Sequence, residues 1–522
     1  MRTTRRVSRR HSALTFDRPQ LKQSLFALQH VMRADTEIDR TICIGARFGG
    51  GEPMAGDTLE TKRAGLDVAT LILLVAAAVI AASILKDGLL YLAHQYGEVQ
   101  MFGRFLERQT QMDSWHPMST ALELFLVTPG IELYQSVFFD QQIKFQYPPT
   151  TLLPLMVLDS LGVELGLQGE LFHASLFASI GGVAVVTTML ALSFRRSPAL
   201  ESFMTRPRAP LYLGGGVVVG TLTFYPIMTA YQLGQIQLVI DLAVCVALWA
   251  WMSGRKGAAG AAMAVAALIK PHYALVLAWS LLRREHRFSV GMLLVGVPAG
   301  LHSLIVFGFA EHLDYLKVLS FIGRHGEVFW ANQSMNGLLN RLFTDTDSVT
   351  FDMNGFAPFS PAVYGGTLVS TVALVVLGLG YRPGWLRRDG PGLDALSRSR
   401  ASTLDLSTAI VVLTIASPVA WVHHYGALWP IMVVALMTVA EVCVRRADTR
   451  SGVLLGLTGA SYFLVSNYFS SFETVARMGL SLVQSHIFIG GLLLLAALIG
   501  ARAALGTSPP VSAPTTPTPS IA

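Results

Sequence analysis

Two residue pairs in this sequence place groups that can bind an anion at the breaks of apolar stretches. Lys270-Pro271 lies inside the apolar segment 257–282, and His423-His424 follows the apolar segment 405–420. A lysine in such a stretch costs roughly a few kcal/mol unless its ammonium group reaches the interface or binds an anion. Pro271 breaks the helix there and frees backbone groups to line a cavity. The pattern therefore favours an anion site at Lys270, with the tip of an interfacial hairpin as the alternative.

His423 and His424 can supply further hydrogen-bond donors to an anion. Adjacent histidines on a helix point about 100° apart and no third ligand lies nearby, so zinc is disfavoured. The alternative is an aromatic belt at the membrane interface, shared with Trp421 and Trp429. The three cysteines have no CxxC spacing, which excludes a thiolate metal site or a disulfide framework.

The elements that carry these residues are predicted to be membrane helices. Of 522 residues, 52% are hydrophobic and 14% are charged, and the mean hydropathy is +0.50. A soluble protein would have about 25% charged residues. Because about 20 helical residues cross the hydrocarbon core, apolar stretches near that length predict spans. The predicted spans are 66–85, 171–193, 211–231, 236–252, 288–309, 361–380, 405–420, 427–444, 452–468 and 485–503.

These stretches predict an all-α polytopic membrane protein with about 11–13 transmembrane or re-entrant helices. The segment 257–282 is predicted to be a hairpin of two short helices, because Lys270-Pro271 interrupts it. The shorter stretch 150–165 begins after Tyr147-Pro148-Pro149 and is predicted to be re-entrant or juxtamembrane. No repeat with a period of 20–50 residues and no inverted repeat typical of transporters is present.

The basic loops predict the orientation of these spans. Lys and Arg concentrate in short cytoplasmic loops, and here they cluster at 195–208, 255–256, 283–287, 382–400 and 445–446. This places two long loops, 86–147 and 310–360, on the outer face, where function is expected. The modest excess of 39 Lys+Arg over 33 Asp+Glu is explained by this topology and gives no indication of nucleic-acid binding.

Both ends of the chain differ from the membrane domain predicted for residues 64–504. Residues 1–63 are basic and lack an apolar run, which predicts a disordered cytosolic arm without a signal peptide. Residues 505–522 form a Pro/Thr-rich tail that cannot bury a core.

Polar side chains recur in the second predicted outer loop. Asn332, Asn336 and Asn340 are spaced every four residues, so a helix would place all three amides on one face. Arg324 adds positive charge nearby. One interpretation is a wall that faces a sugar or a phosphate, and the other is an amphipathic surface helix with a solvated side.

Four segments of the predicted outer side resemble one family. They are Ile131-Glu132-Leu133-Tyr134 with Phe145-Gln146-Tyr147-Pro148-Pro149, Gly234-Gln235-Ile236-Gln237 with Lys270-Pro271, Asn332-Gln333-Ser334-Met335-Asn336-Gly337, and Ser417-Pro418-Val419-Ala420-Trp421-Val422-His423-His424. Their order resembles glycosyltransferase family 87, the polyprenyl-phosphate-sugar-dependent membrane transferases of the GT-C fold. The resemblance covers about residues 110–430.

The resemblance implies a set of residues that contact the phosphate or sugar of the donor. These are Gln235, Lys270, Arg324, Asn332, Gln333, His423 and His424. For Gln235, as for Gln237, the alternative is solvation of a short outer turn.

The family also implies a catalytic aspartate in the first outer loop, about 20 residues before the Leu-Tyr pair. Asp113 stands 21 residues before Tyr134 and is followed by Ser114-Trp115-His116, where family members have small apolar residues and a tyrosine. Asp87, immediately after the first predicted span, is the rival.

A polyprenyl-phosphate donor carries its own leaving group, so departure needs cationic or hydrogen-bonding groups at the phosphate. The acceptor hydroxyl is a poor nucleophile, and a carboxylate takes its proton as general base while the anomeric carbon inverts. The donor has no pyrophosphate to neutralise, so we expect no metal and no other cofactor.

The resemblance thus implies transfer of a monosaccharide, with mannose as the family's commonest known donor sugar, to an envelope glycolipid or glycan. The expected location is the outer face of a bacterial cytoplasmic membrane, among membrane lipids. A transporter or flippase of a lipid-linked glycan is the non-enzymatic alternative, but it predicts charges at the membrane midplane. A transferase with a lipid-pyrophosphate donor is a third possibility, but it predicts a catalytic loop late in the chain.

Overall fold

The computed structural model describes residues 76–86, 88–89, 105–107, 110–344, 347–352, 355–380 and 394–506. The predicted arm 1–63, the rival Asp87 and residues 507–522 of the predicted tail lie outside the described residues. Regular secondary structure in the described ranges is helical, and extended pairing is limited there to an isolated bridge between Asn332 and Trp421.

The α-helices of eight or more residues are numbered here in chain order. They are α1 Ala76–Lys86, α2 Trp115–Val127, α3 Leu153–Ser160, α4 Leu165–Leu192, α5 Ala209–Thr223, α6 Tyr225–Leu233, α7 Gln237–Met252, α8 Lys256–Ile269, α9 Leu275–Leu282, α10 His286–His325, α11 Met335–Phe343, α12 Pro361–Gly380, α13 Ala395–Ile415, α14 Leu428–Arg446, α15 Thr449–Val465 and α16 His486–Gly506.

Short helices and turns connect them. Glu201–Met204 and Ser471–Arg477 are short α-helices, Gln135–Asp140 is a π-helix, and the 3-10 turns are Pro149–Leu152, Ser193–Arg196, Pro198–Leu200, Pro271–Ala274, Val422–Ala427 and Ser481–Ser485.

Within the described ranges, five helical segments are long and apolar enough to cross a membrane. They are Leu165–Arg196, His286–His325, Pro361–Gly378, Val422–Arg446 and Ser481–Leu505. The apolar helices α7 and α8 are shorter, with 16 and 14 residues. The all-α polytopic membrane fold predicted from the sequence is therefore confirmed.

Two predicted boundaries differ from the structure. The stretch 211–231, predicted as one span, is a pair of helices bent by 52° at Phe224, because Phe224 is extended and Pro226, the second residue of the next helix, has no backbone N–H. Residues 310–325, predicted to belong to an outer loop, are helical. They follow a break at Gly308, at φ 79° and ψ 164°, which divides α10 into two helices close to the predicted end of the span at residue 309.

The segment 257–282 is broken at Lys270-Pro271, as predicted. Helix α8 ends at Ile269, Lys270 is extended at φ −132° and ψ 102°, and a 3-10 turn leads into α9. The spans differ in how much protein surrounds them. In the 18-residue apolar part of Val422–Arg446, 89% of the residues are buried inside the protein, whereas in Pro361–Gly378 17% are buried. The chain segment that carries His423 and His424 is therefore central, and α12 is peripheral.

Candidate active site

Asp113 is held against the end of α6 by backbone pairing. The Asp113 N–H donates to the Leu233 carbonyl at 2.7 Å, and the Gln111 N–H donates to the Gln232 carbonyl at 2.9 Å. Gly234 ends α6 in the left-handed region at φ 70°, and a Cβ there would lie 2.7 Å from the Met112 Cα. This close approach requires glycine and fixes Asp113 beside the next residue, Gln235.

The Gln235 side chain connects Asp113 to a buried hydroxyl pair. Gln235 Nε2 donates to Asp113 Oδ2, and the Ser114 hydroxyl donates to Gln235 Oε1 at 2.9 Å. The Tyr147 hydroxyl lies 2.6 Å from Ser114 Oγ and 3.2 Å from Gln235 Oε1. Because both hydroxyls occupy the amide oxygen, the amide nitrogen must face Asp113. Asp113 itself remains exposed, so a substrate can reach its carboxyl group.

The surroundings of Asp113 suit a proton acceptor. Partial burial raises the pKa of its carboxyl group, while the Gln235 hydrogen bond and the Lys144 ammonium oppose the rise. Lys144 also pairs with Glu327 at 3.3 Å and donates to the Asp352 carbonyl at 3.0 Å. A carboxylate with a raised pKa takes a proton more readily than a free one.

Lys270 forms a second polar group with two residues of α7. Lys270 Nζ donates to Gln237 Oε1 at 2.7 Å, and Gln237 Nε2 donates to Asp241 Oδ1 at 2.8 Å. Gln237 and Asp241 are fully buried, whereas Lys270 is half-buried. The ammonium group thus lies at the break between α8 and the following turn, with an anchored amide on its inner side.

Sequence reasoning missed Asp241. A signal was available, because an aspartate one helical turn after Gln237 in an apolar helix needs a partner or a function. Its Oδ2 faces Gly426, where a Cβ would lie 2.1 Å from this oxygen. Asp241 therefore joins α7 to the turn that carries His423 and His424.

His423 and His424 lie in the turn Val422–Ala427, where their ring centroids are 4.7 Å apart and their planes meet at 82°. His423 is buried and His424 is half-buried. This turn is linked to Lys270 through α7, because Gln237 bonds to both Lys270 and Asp241 and the Asp241 carboxyl group packs against Gly426. The structure thus brings together the two anion-binding candidates that the sequence separates by about 150 positions, Lys270 and His423-His424.

Asn332 and Gln333 are fully buried and bond to other parts of the protein. Asn332 Oδ1 accepts from the Ala420 N–H at 3.1 Å, and the Gln333 N–H donates to the Ala420 carbonyl at 2.7 Å. Gln333 Oε1 accepts from the Phe488 N–H at 3.2 Å. The Asn332 side chain and the Gln333 main chain thus join the segment before α11 to the segment before His423, and the Gln333 side chain joins it to α16.

The predicted common face of three asparagines is only partly present. Helix α11 begins at Met335, so Asn332 precedes it, while Asn340 Nδ2 donates to Asn336 Oδ1 at 2.8 Å on the buried side. Arg324 lies exposed in the last turn of α10. Among the described residues no three His, Cys, Asp or Glu side chains are grouped closely enough to hold a metal ion.

The fold and the site together define an all-α membrane protein with a carboxylate and a cationic group at the breaks between its helices. The sequence profile of glycosyltransferase family 87 matches residues 145–402, and this match supports membership of that family. The matched range contains Gln235, Lys270 and Asn332 and ends before His423. No curated protein and no solved structure matches the chain.

Proposed function

We propose that this glycosyltransferase moves a monosaccharide from a polyprenyl-phosphate donor to a glycolipid or glycan acceptor at the outer face of a bacterial cytoplasmic membrane. Membership of family 87 supports sugar transfer. The breaks at Lys270 and before His423 support a donor whose phosphate lies at a membrane edge. Mannose is the first sugar to test, because the family resemblance favours it.

The observation that carries this proposal is the short turn 235–237. Gln235 contacts Asp113, and Gln237 contacts Lys270. Two residues span at most about 7 Å of extended chain, so the Cα atoms of Gln235 and Gln237 lie close together. The carboxylate of Asp113 and the ammonium group of Lys270 are therefore hydrogen-bonded to side chains that leave the main chain at neighbouring points. A sugar phosphate can then bind with its phosphate at Lys270 and its anomeric carbon near Asp113.

Each group has a defined part in the proposed reaction. The acceptor oxygen attacks the anomeric carbon as Asp113 takes its proton, and the bond to the phosphate oxygen breaks with inversion. Lys270 and the half-buried His424 stabilise the negative charge that develops on the leaving phosphate. His423 is buried in the same turn and packs edge-on against the His424 ring, so we assign it to orienting His424.

Asp241 acts through Gln237 in this scheme. By accepting from Gln237 Nε2, Asp241 makes the amide present its oxygen to Lys270. A flipped amide would place two N–H donors against an ammonium group, so this contact fixes the direction of the Lys270 side chain. Asp241 is thus a positioning residue and does not touch the substrate.

Purified protein in lipid nanodiscs is incubated with radiolabelled polyprenyl-phosphate mannose and bacterial membrane lipids. The proposal predicts label in a new glycolipid, with free polyprenyl phosphate as the other product. Matched donors with glucose, galactose or arabinose identify the sugar. A flippase would move a fluorescent lipid-linked sugar across a vesicle bilayer without breaking its phosphate bond, and that result would contradict the proposal.

A further inference from the structure

Helix α11 has its polar and apolar sides reversed relative to a helix at a water-exposed surface. Asn336, Asn340 and Arg341 are buried, whereas Leu342 and Phe343 are 51% and 67% exposed. In water the apolar stripe of an amphipathic helix faces the core and the polar residues face outward. The reversed pattern is stable only if the outer side of α11 faces an apolar medium.

The buried polar side of α11 makes specific hydrogen bonds through Arg341. One guanidinium nitrogen of Arg341, NH1, donates to the carbonyls of Phe329 and Asn332 at 3.3 Å and 3.1 Å. The other, NH2, donates to Ser485 Oγ at 2.7 Å. A buried arginine needs several acceptors of this kind, so these contacts fix which side of the helix points inward.

The turn before α16 exposes apolar side chains next to α11. Met478, Leu480 and Leu482 are 75%, 62% and 49% exposed. Ser481 Oγ donates to the Arg341 carbonyl at 3.1 Å, which joins this turn to the end of α11. Ser481 is also the first residue of the candidate span Ser481–Leu505. The exposed end of α11 is therefore level with the edge of a membrane span.

The same apolar surface continues onto α12. The Leu339 side chain packs at Gly366, where a Cβ would lie 2.7 Å from Leu339 Cδ1. Further along α12, Leu368, Val369 and Val372 are 53%, 70% and 53% exposed, as expected for a peripheral span that faces lipid. Helix α11 thus packs against a peripheral span whose exposed side chains face lipid.

We infer that the lipid-facing patch, formed by Leu342, Phe343, Met478, Leu480 and Leu482, is covered by the acyl chains of the bilayer. Leu342, Phe343, Met478 and Leu480 lie in segments between the membrane spans, and Leu482 lies at the start of the span Ser481–Leu505. A topology drawn from hydropathy alone would leave the first four residues in water. With this patch in contact with lipid, α11 lies at the edge of the bilayer and not in the water outside it.

The patch adjoins the candidate active site. Gln333 Nε2 donates to the Gln484 carbonyl at 2.6 Å, and Gln333 pairs through Ala420 with the segment that leads to His423. The patch is therefore connected through Gln333 to the segment that carries His423. The lipid contact itself does not depend on which sugar or donor the enzyme uses.

Spin labels test the inference in the full-length protein. Cys43, Cys245 and Cys443 are replaced by alanine, and a nitroxide is attached at Phe343→Cys, Leu480→Cys or Asp347→Cys. Asp347 is the control, because it is exposed and polar and lies just after α11. Nanodiscs of phosphatidylcholine and phosphatidylglycerol are then exposed to oxygen, which concentrates in lipid, and to a nickel chelate, which stays in water.

Labels at 343 and 480 should collide several-fold more often with oxygen relative to nickel than the label at 347. Equal nickel accessibility at all three positions would overturn the inference. Protection of positions 343 and 480 from both reagents, with spin–spin broadening that grows with protein density, would also overturn it, because a second copy of the chain would then cover the patch.

Discussion

Gln235 and Gln237, two residues apart, direct their side chains to the two different functional groups of the candidate site. Gln235 Nε2 donates to Asp113 Oδ2, whereas Gln237 Oε1 accepts from Lys270 Nζ at 2.7 Å. The main chain between them sets the separation of the proposed base and the proposed phosphate site. A hydrogen bond to a charged group contributes about 1.5–3 kcal/mol, so each contact has a measurable effect.

The two glutamines should therefore affect different kinetic constants. Gln237→Leu should raise the donor KM about tenfold to a hundredfold, because Lys270 loses its positioning amide. Gln235→Leu should leave the donor KM near the wild-type value and lower kcat, because Asp113 loses the hydrogen bond that orients it. The measurement is initial rate against donor concentration, with acceptor saturating. A rise in donor KM of equal size in both variants would refute this division of roles.

The helical membrane fold could be predicted from the sequence because spans are long and their apolar signal is strong. The bend at Phe224 could not, because a proline near the start of a helix and a proline inside one look alike in sequence. The approach of Lys270 to His423 depends on how distant helices pack, which hydropathy does not encode.

Asn332 and Gln333 illustrate a second limit of sequence reasoning. Buried amides that bond to backbone and exposed amides that bind a sugar have the same side chains. Only the contacts of Asn332 with Ala420 and of Gln333 with Phe488 place both residues inside the protein. Their proposed donor contacts would therefore require a rearrangement of this segment or an effect through the turn at His423.

Asp241 and Lys270 should show non-additive effects on donor affinity. Lys270→Ala should weaken binding of polyprenyl monophosphate about tenfold to a hundredfold. Asp241→Leu should produce a similar loss, because Gln237 is no longer held with its oxygen toward Lys270. Asp241→Asn keeps an acceptor for Gln237 Nε2 and should retain most of the affinity.

The double variant Lys270→Ala/Asp241→Leu should bind no more weakly than Lys270→Ala alone, because both changes remove the same interaction. Binding is measured by titration with polyprenyl monophosphate, so the result does not depend on detecting sugar transfer. Multiplied losses in the double variant, or an Asp241→Asn variant as weak as Asp241→Leu, would contradict the positioning role.

Lys144 should set the pH at which activity falls on the acid side. The base works when ionised, so kcat falls as the pH drops through the pKa of Asp113. Burial already raises that pKa, and the Lys144 charge opposes the rise. Lys144→Met should therefore shift the acid limb to higher pH, whereas Lys144→Arg should leave it close to wild type. If the acid limb of Lys144→Met moves to lower pH or does not move, Lys144 does not lower the pKa of the catalytic base.

The orientation of the chain can be tested by labelling of single cysteines on a background without Cys43, Cys245 and Cys443. A cysteine at 113 or 347 should react with a membrane-impermeant maleimide from outside the cell, because both positions are exposed and belong to the predicted outer side. A cysteine at 286, exposed in the predicted cytoplasmic loop, should react only after the cells are opened. Labelling of 286 in intact cells would invert the proposed topology.

The proposed base gives the most direct test of the account. Asp113→Asn keeps the size of the side chain and an oxygen that accepts from Gln235 Nε2, but it removes basicity. Transfer from radiolabelled polyprenyl-phosphate mannose should fall about a hundredfold to ten-thousandfold in kcat, the usual contribution of a positioned base, while polyprenyl monophosphate still binds as in wild type. Asp87→Asn, measured in parallel, should keep its activity. Normal transfer by Asp113→Asn with loss in Asp87→Asn would assign the base to Asp87, and full activity in both variants would contradict the carboxylate mechanism.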